Sequence, residues 1–226
     1  MAIRSARDAL SRVFFQRCFW LFVLLMALIA VAPFVPTSTQ GRIVINVINA
    51  FLVVATVAAV GRSLFSFVLV VLLAVPTLAF QWLGFADHER EYLAYSWVSG
   101  AALYVVTVVY LLRYVFRPEV MTADKLFGAA AGYLMLGVLW SYFYVLVDYA
   151  FPSSFSIGGQ VEPLDYLDAL YFSMTVITST GFGDIVPVSR QARAICMVEQ
   201  IAGALFVAIL IARLAGVYPP QRRGRE

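Results

Sequence analysis

Thr175-Val-Ile-Thr-Ser-Thr-Gly-Phe-Gly-Asp-Ile-Val-Pro187 is the stretch on which the reading of this chain turns. Hydroxyl residues Thr178, Ser179 and Thr180 lead into Gly181-Phe182-Gly183 and then Asp184, with apolar sequence on both sides. Two glycines flanking an aromatic let the backbone adopt conformations that a Cβ disfavours, so a non-helical loop is expected here. The chain around it is 62% hydrophobic and 13% charged, where a soluble domain carries roughly 25% charged residues. The loop therefore belongs to an integral membrane protein. At bilayer depth, irregular backbone is tolerated only where protein buries it or water bathes it. A row of carbonyls turned to one axis can stand in for the hydration shell of a cation.

Working outward, six runs free of charge approach the 20 or so residues that a membrane helix needs. They are 18–41, 43–61, 63–86, 92–112, 126–147 and 194–212, the last broken only by Glu199. A seventh apolar run, 169–183, ends in the quoted loop and is too short to cross and return as two helices. It reads as a re-entrant helix and loop. The expected fold class is an all-α membrane protein with six transmembrane helices and one re-entrant segment.

The first run has two readings. Arg4, Arg7, Arg12 and Arg17 precede an apolar core ending in Ala30-Val-Ala32, which fits either a retained helix or a cleaved signal segment. With the N-terminus in the cytoplasm, twelve of the sixteen Lys and Arg residues fall on the inner side and only Arg42, Arg90, Arg190 and Arg193 outside. That bias sets the expected orientation, a multi-pass protein of the cell membrane with both termini cytoplasmic.

Several polar residues have modest readings. Cys18 and Cys196 read as small packing residues, and His88 as a solvated loop residue. Asn46 and Asn49 share one face of the second helix and suit interhelical hydrogen bonding, with a ligand site as the alternative. The interior of the fourth run carries no arginine series, so a voltage sensor is not expected. The net charge of +3 gives no footing for nucleic acid. The spanning runs hold no histidine and no paired acids, which leaves an intramembrane enzyme without a catalytic constellation.

The quoted stretch resembles the selectivity filter of the potassium-channel pore family, whose loop is itself the standard illustration of carbonyl coordination. On that resemblance Thr178 and Ser179 match the two family threonines, Gly181 and Gly183 the two glycines, and Asp184 the aspartate that follows. Thr180 departs from the usual valine, and Phe182 replaces the commoner tyrosine. The resemblance implies K+ on the carbonyls of Ser179, Thr180, Gly181 and Phe182, flanked by Thr178 and Gly183. It implies a pore helix ahead of the filter, with Asp165 as N-cap and Asp168 at its third position. Tyr171 and Phe172 match the family's aromatic pair, and Tyr171 is placed to donate to Asp184. It further implies a homotetramer in lipid, with K+ its ligand and no other cofactor. A weakly selective cation channel is the alternative.

Two residues of the last run extend the resemblance. Gly203 falls where the family has a hinge glycine, and close packing is its other reading. Glu199 lies too deep to snorkel to the inner face. It is expected behind the filter, hydrogen-bonding the pore helix or loop with Thr175 as one candidate, or else in a watered crevice. Pro118 and the change of composition around it set the expected boundary between a four-helix domain, 1–120, and a pore domain, 121–226.

Overall fold

The computed structural model describes residues 17–35, 39–60, 64–87, 90–117 and 122–217. Arg4, Arg7, Arg12, Arg62, His88, Pro118 and the basic tail beyond Pro219 lie outside the described residues. The helices are α1 (Arg17–Val31), α2 (Thr39–Val60), α3 (Leu64–Asp87), α4 (Arg90–Val115), α5 (Ala123–Ala150), α6 (Tyr166–Ile177) and α7 (Arg190–Val217).

Four of these are long and apolar enough to cross a membrane: α3, α4, α5 and α7. α1 spans 15 residues, shorter than its charge-free run, while α2 spans 22, Thr39–Val60; among the described residues their apolar helical stretches are Cys18–Phe34 and Ile43–Val57. Pro33 sits at the start of a 3-10 turn, Ala32–Phe34, which ends the α-helical part of the first. Thr39-Gln-Gly-Arg42 gives α2 a polar first turn. Pro76 lies inside α3, and the helix runs through it.

The spacing of apolar side chains dictates the packing. Leu21, Leu25 and Leu28 share one face of α1, and Ala101, Tyr104, Val108 and Leu111 share one face of α4. Both faces close on Met135, Val138 and Tyr142 of α5, which is the central post. Val53, Val70, Ala74 and Leu103 make a separate small core among α2, α3 and α4. Large apolar side chains such as Phe51, Val54, Leu72 and Val98 face outward, as lipid contact requires.

The all-α expectation needs one correction. Between α5 and α6, and again after the loop, three short strands form an antiparallel sheet in the order β2-β1-β3. They are β1 (Phe155–Ile157), β2 (Gln160–Val161) and β3 (Ile185–Pro187). Gly158 and Gly159, at φ +57° and +87°, make the hairpin turn that joins the first two. Phe155 pairs with Pro187 and Ile157 with Ile185, so the segment just past Gly183 is stitched to the segment just past α5.

Candidate functional site

The site begins at the start of α6. Asp165 is extended (φ −79°, ψ 172°), and its carboxylate accepts the backbone N–H of Asp168 at 2.8 Å. That cap satisfies one of the amides a helix start leaves unpaired. Partial burial, then the charges of Asp165 and Glu162, push the Asp168 carboxyl above its ordinary value. The next two turns bury Ala169, Phe172, Ser173 and Val176.

The C-terminus of α6 explains the loop. A helix ends with four carbonyls that lack intrahelical partners. Met174 O accepts the N–H of Thr178 (3.3 Å) and Val176 O that of Ser179 (2.9 Å). Thr175 O accepts the N–H groups of Thr180 (2.9 Å) and Gly181 (3.2 Å). Ile177 O accepts the Tyr133 hydroxyl at 2.8 Å. The loop thus spends its amides on the helix end. Among the described residues no donor reaches the carbonyls of Thr178 through Gly183.

Handedness completes the picture. Ser179, Gly181 and Gly183 have φ of +57°, +56° and +81°, while Thr178, Thr180 and Phe182 between them do not. A backbone that alternates left- and right-handed residues turns successive carbonyls toward one side. Glycine occupies two of the three left-handed positions without the cost of roughly 1–2 kcal/mol that a Cβ brings. Ser179 bears that cost. The Thr178 hydroxyl donates to Met174 O at 2.7 Å and lies 2.8 Å from the Thr180 hydroxyl, so the two threonines brace one another. Side chains from Thr178 to Asp184 are exposed in the single chain. The loop therefore offers a row of uncharged oxygens beside the negative end of a helix dipole.

The outer end is held differently. Tyr171 donates its hydroxyl to Asp184 Oδ2 at 2.7 Å, and Asp184 Oδ1 accepts the N–H of Ile185 at 3.0 Å. The Tyr171 hydroxyl is the main cause that holds the Asp184 carboxyl below its ordinary value. The same bond raises the Tyr171 phenol. The rings of Tyr171 and Phe182 stack with centroids 6.4 Å apart and planes within 5°. Gly158 of the hairpin turn donates to Asp184 O at 2.8 Å.

Behind the loop lies Glu199, fully buried on α7. Its Oε2 accepts the Tyr144 hydroxyl of α5, and its Oε1 lies 2.5 Å from Ser173 Oγ of α6. Ser173 Oγ also lies 2.7 Å from Gly137 O. A hydroxyl has one hydrogen, so both Ser173 contacts are hydrogen bonds only when the carboxyl supplies a second. The expected Thr175 partner is corrected: its hydroxyl turns back to Phe172 O at 2.8 Å. Phe172 packs edge-on against Tyr144 and Phe155, at 4.9 and 5.6 Å between centroids. Tyr133, Gly137, Tyr144 and Ser173 were missed in the sequence reading.

Gly203 meets its packing alternative. A Cβ there would stand 2.5 Å from Ile177 O, and α7 is one continuous helix through the position. No group of three or more His, Cys, Asp or Glu side chains suited to a metal ion occurs among the described residues.

Residues 126–218 match the family model described as ion channel. Over 54 residues the chain is 33% identical to a calcium-gated potassium channel, TvoK, of Thermoplasma volcanium, covering 24% of this chain and 16% of that protein. Over 55 residues it is 38% identical to probable potassium channel protein 2 of Methanocaldococcus jannaschii, again 24% and 16%. Potassium channel protein kcv of Paramecium bursaria Chlorella virus 1 is 28% identical over 61 residues, 27% of this chain and 64% of that protein. The chain thus spans less than two thirds of the length of each of these relatives. No solved structure matches it significantly.

Proposed function

We propose that the chain, whose residues 126–218 match the ion channel family model and which is similar to potassium channels over short stretches, is a potassium-selective channel. Ion channels are not enzymes, and K+ is here the cargo. In this reading α6 is the pore helix, and four copies bring their loops around one axis in the membrane. The carbonyls of Ser179, Thr180, Gly181 and Phe182 replace the water around K+, with Thr178 and Gly183 at the two ends. One observation carries the reading: residues alternate in handedness along 178–183 while every amide of the first turn is returned to the helix.

Other features support the assembly. Met197, Ile201, Leu205 and Ile209 are exposed at four-residue spacing, an apolar stripe on α7 suited to neighbouring copies and the pore. Residues 121–226 act as the pore domain and 1–120 as a four-helix domain, with α1 and α2 completing six spans and both termini cytoplasmic. Voltage sensing is not part of the proposal, because α4 is free of Lys and Arg between its ends.

The test is flux from the purified full chain in liposomes, with K+ and Na+ gradients compared. Potassium is expected to pass and sodium to be excluded. Gly181→Ala or Gly183→Ala places a Cβ at positive φ, a strain of about 1–2 kcal/mol per residue, and should abolish selective flux while the assembly still forms. Unchanged selectivity in both variants refutes the carbonyl assignment.

A further inference from the structure

A polar oxygen with neither a donor nor a cation beside it is costly. Among the side chains, Asn49 Oδ1 on α2 is a buried example. The loop carries a whole row of such oxygens, the carbonyls of Thr178 through Gly183. Dipoles turned the same way also repel one another, so the row is favourable only while a cation lies along it. Once the cation leaves, each peptide gains by turning its oxygen elsewhere. What opposes that turn is the set of bonds the peptide makes on its other side.

Those bonds run out at residue 181. The N–H of Thr180 goes to Thr175 O at 2.9 Å, and that of Gly181 goes to the same oxygen at 3.2 Å. Among the described residues the N–H groups of Phe182 and Gly183 reach no backbone acceptor. The peptide between Thr180 and Gly181 is thus the last in the row that the helix end holds by its backbone.

A side chain adds a tie at that same place. Met174 O is a carbonyl and can only accept, so the Thr178 hydroxyl, 2.7 Å away, spends its one hydrogen there. The 2.8 Å contact between the Thr178 and Thr180 hydroxyls must then take its hydrogen from Thr180. The chain of bonds runs from Thr180 through Thr178 to the end of α6. Valine, which usually stands at this position in the family that the loop resembles, has the shape of threonine without the hydroxyl. Residue 180 therefore makes a bond here that a valine could not.

We propose that Thr180 is a positioning residue that keeps the carbonyl row in place when K+ is withdrawn. The inference rests on the channel reading and adds to it a regulation of the same loop. While K+ is present, the cation itself holds the row. In its absence, the hydroxyl tie keeps the Thr180 carbonyl from turning out of the row, and conduction resumes promptly when K+ returns.

The test uses the full chain in liposomes. K+ flux is measured before and after a period in which choline replaces all K+. Recovery is read as a fraction of each variant's own flux before withdrawal, so a change in steady flux cancels. The parent should recover promptly. Thr180→Val should recover about two- to tenfold more slowly, the worth of one neutral hydrogen bond. Thr180→Ser restores the hydroxyl and should restore the recovery. Thr178→Val removes the acceptor instead of the donor and should show the same slow return, which keeps the test open should Thr180→Val fail to assemble. Recovery as fast as the parent's in Thr180→Val or in Thr178→Val overturns the proposal, and so does a Thr180→Ser variant as slow as Thr180→Val. A parent that passes no K+ at all overturns the channel reading and this proposal together, whereas a conducting parent with unaffected variants overturns this proposal alone.

Discussion

Two buried polar clusters, one on α5, α6 and α7 and the other on α2 and α3, are built on opposite principles. Around Glu199, Tyr144, Ser173 and Gly137, polar atoms from three helices meet one another and leave no space. Around Asn49, Asn46 and Gln81, one contact forms and the remainder opens on a cavity. A closed cluster fixes the relative positions of helices, because each group is costly to leave unpaired. An open one contributes little to the fold and leaves room for something else. The same residue chemistry therefore makes a framework behind the loop and lines a cavity among the helices ahead of it.

The contrast breaks most plainly at Glu199. Glu199→Ala strands the Tyr144 and Ser173 hydroxyls and opens a void, and should cost about 2–4 kcal/mol. Thermal unfolding of the detergent-solubilised assembly reads this as a large fall in Tm, with weakened selectivity in flux. Glu199→Gln keeps a donor and an acceptor and should stay close to the parent. Equal loss in both variants would mean that charge, rather than hydrogen bonding, holds the cluster.

Ser173→Ala and Asn49→Leu sharpen the comparison by their opposite signs. The first leaves Gly137 O and Glu199 short of a partner and should cost about 1–3 kcal/mol. The second replaces an unmet amide with an apolar side chain and should be neutral or slightly stabilising. Matched melting curves of the two variants check this, and equal destabilisation would erase the distinction.

The smallest effect is expected outside both clusters. The Tyr171 hydroxyl lowers the Asp184 carboxyl, so that bond is present above the ordinary carboxyl range and is lost as pH falls through the folded value. In Tyr171→Phe, Asp184 should take up its proton at higher pH. The acid limb of the flux–pH profile should then move upward, and an unmoved limb would show that Asp184 titrates without reference to its tyrosine.

The loop was legible because its signals are local: glycines at positions that need positive φ, and an Asp cap three residues before Asp168. The partner of Glu199 was not. Thr175 and Ser173 differ by two residues, which on a helix turns the side chain by roughly 200° to the other face. Which face α5 and α7 occupy is a tertiary fact with no trace in spacing. The hairpin could have been found, since Gly158-Gly159 between short apolar segments is a turn signal. Strands of three and two residues gave no alternation by which to read them. α1 stops short of its charge-free run because such a run says nothing of where Pro33 ends the helix. The unpaired Asn49 oxygen was beyond any sequence pattern, since Asn46 and Asn49 look alike until Gln81 meets only one of them.

Gly203 has a mechanical consequence. It seats α7 against Ile177 O, the last carbonyl before the loop, closely enough that no side chain fits between. Such a seat acts as a fulcrum. If the inner half of α7 swings, the motion about this point presses on or slackens the rung from which the loop hangs, and Tyr133 on the same oxygen opposes the displacement. Helix and loop are thereby geared to each other through one residue, Ile177, whose carbonyl and side chain both face Gly203, and a methyl group at residue 203 would jam the gear.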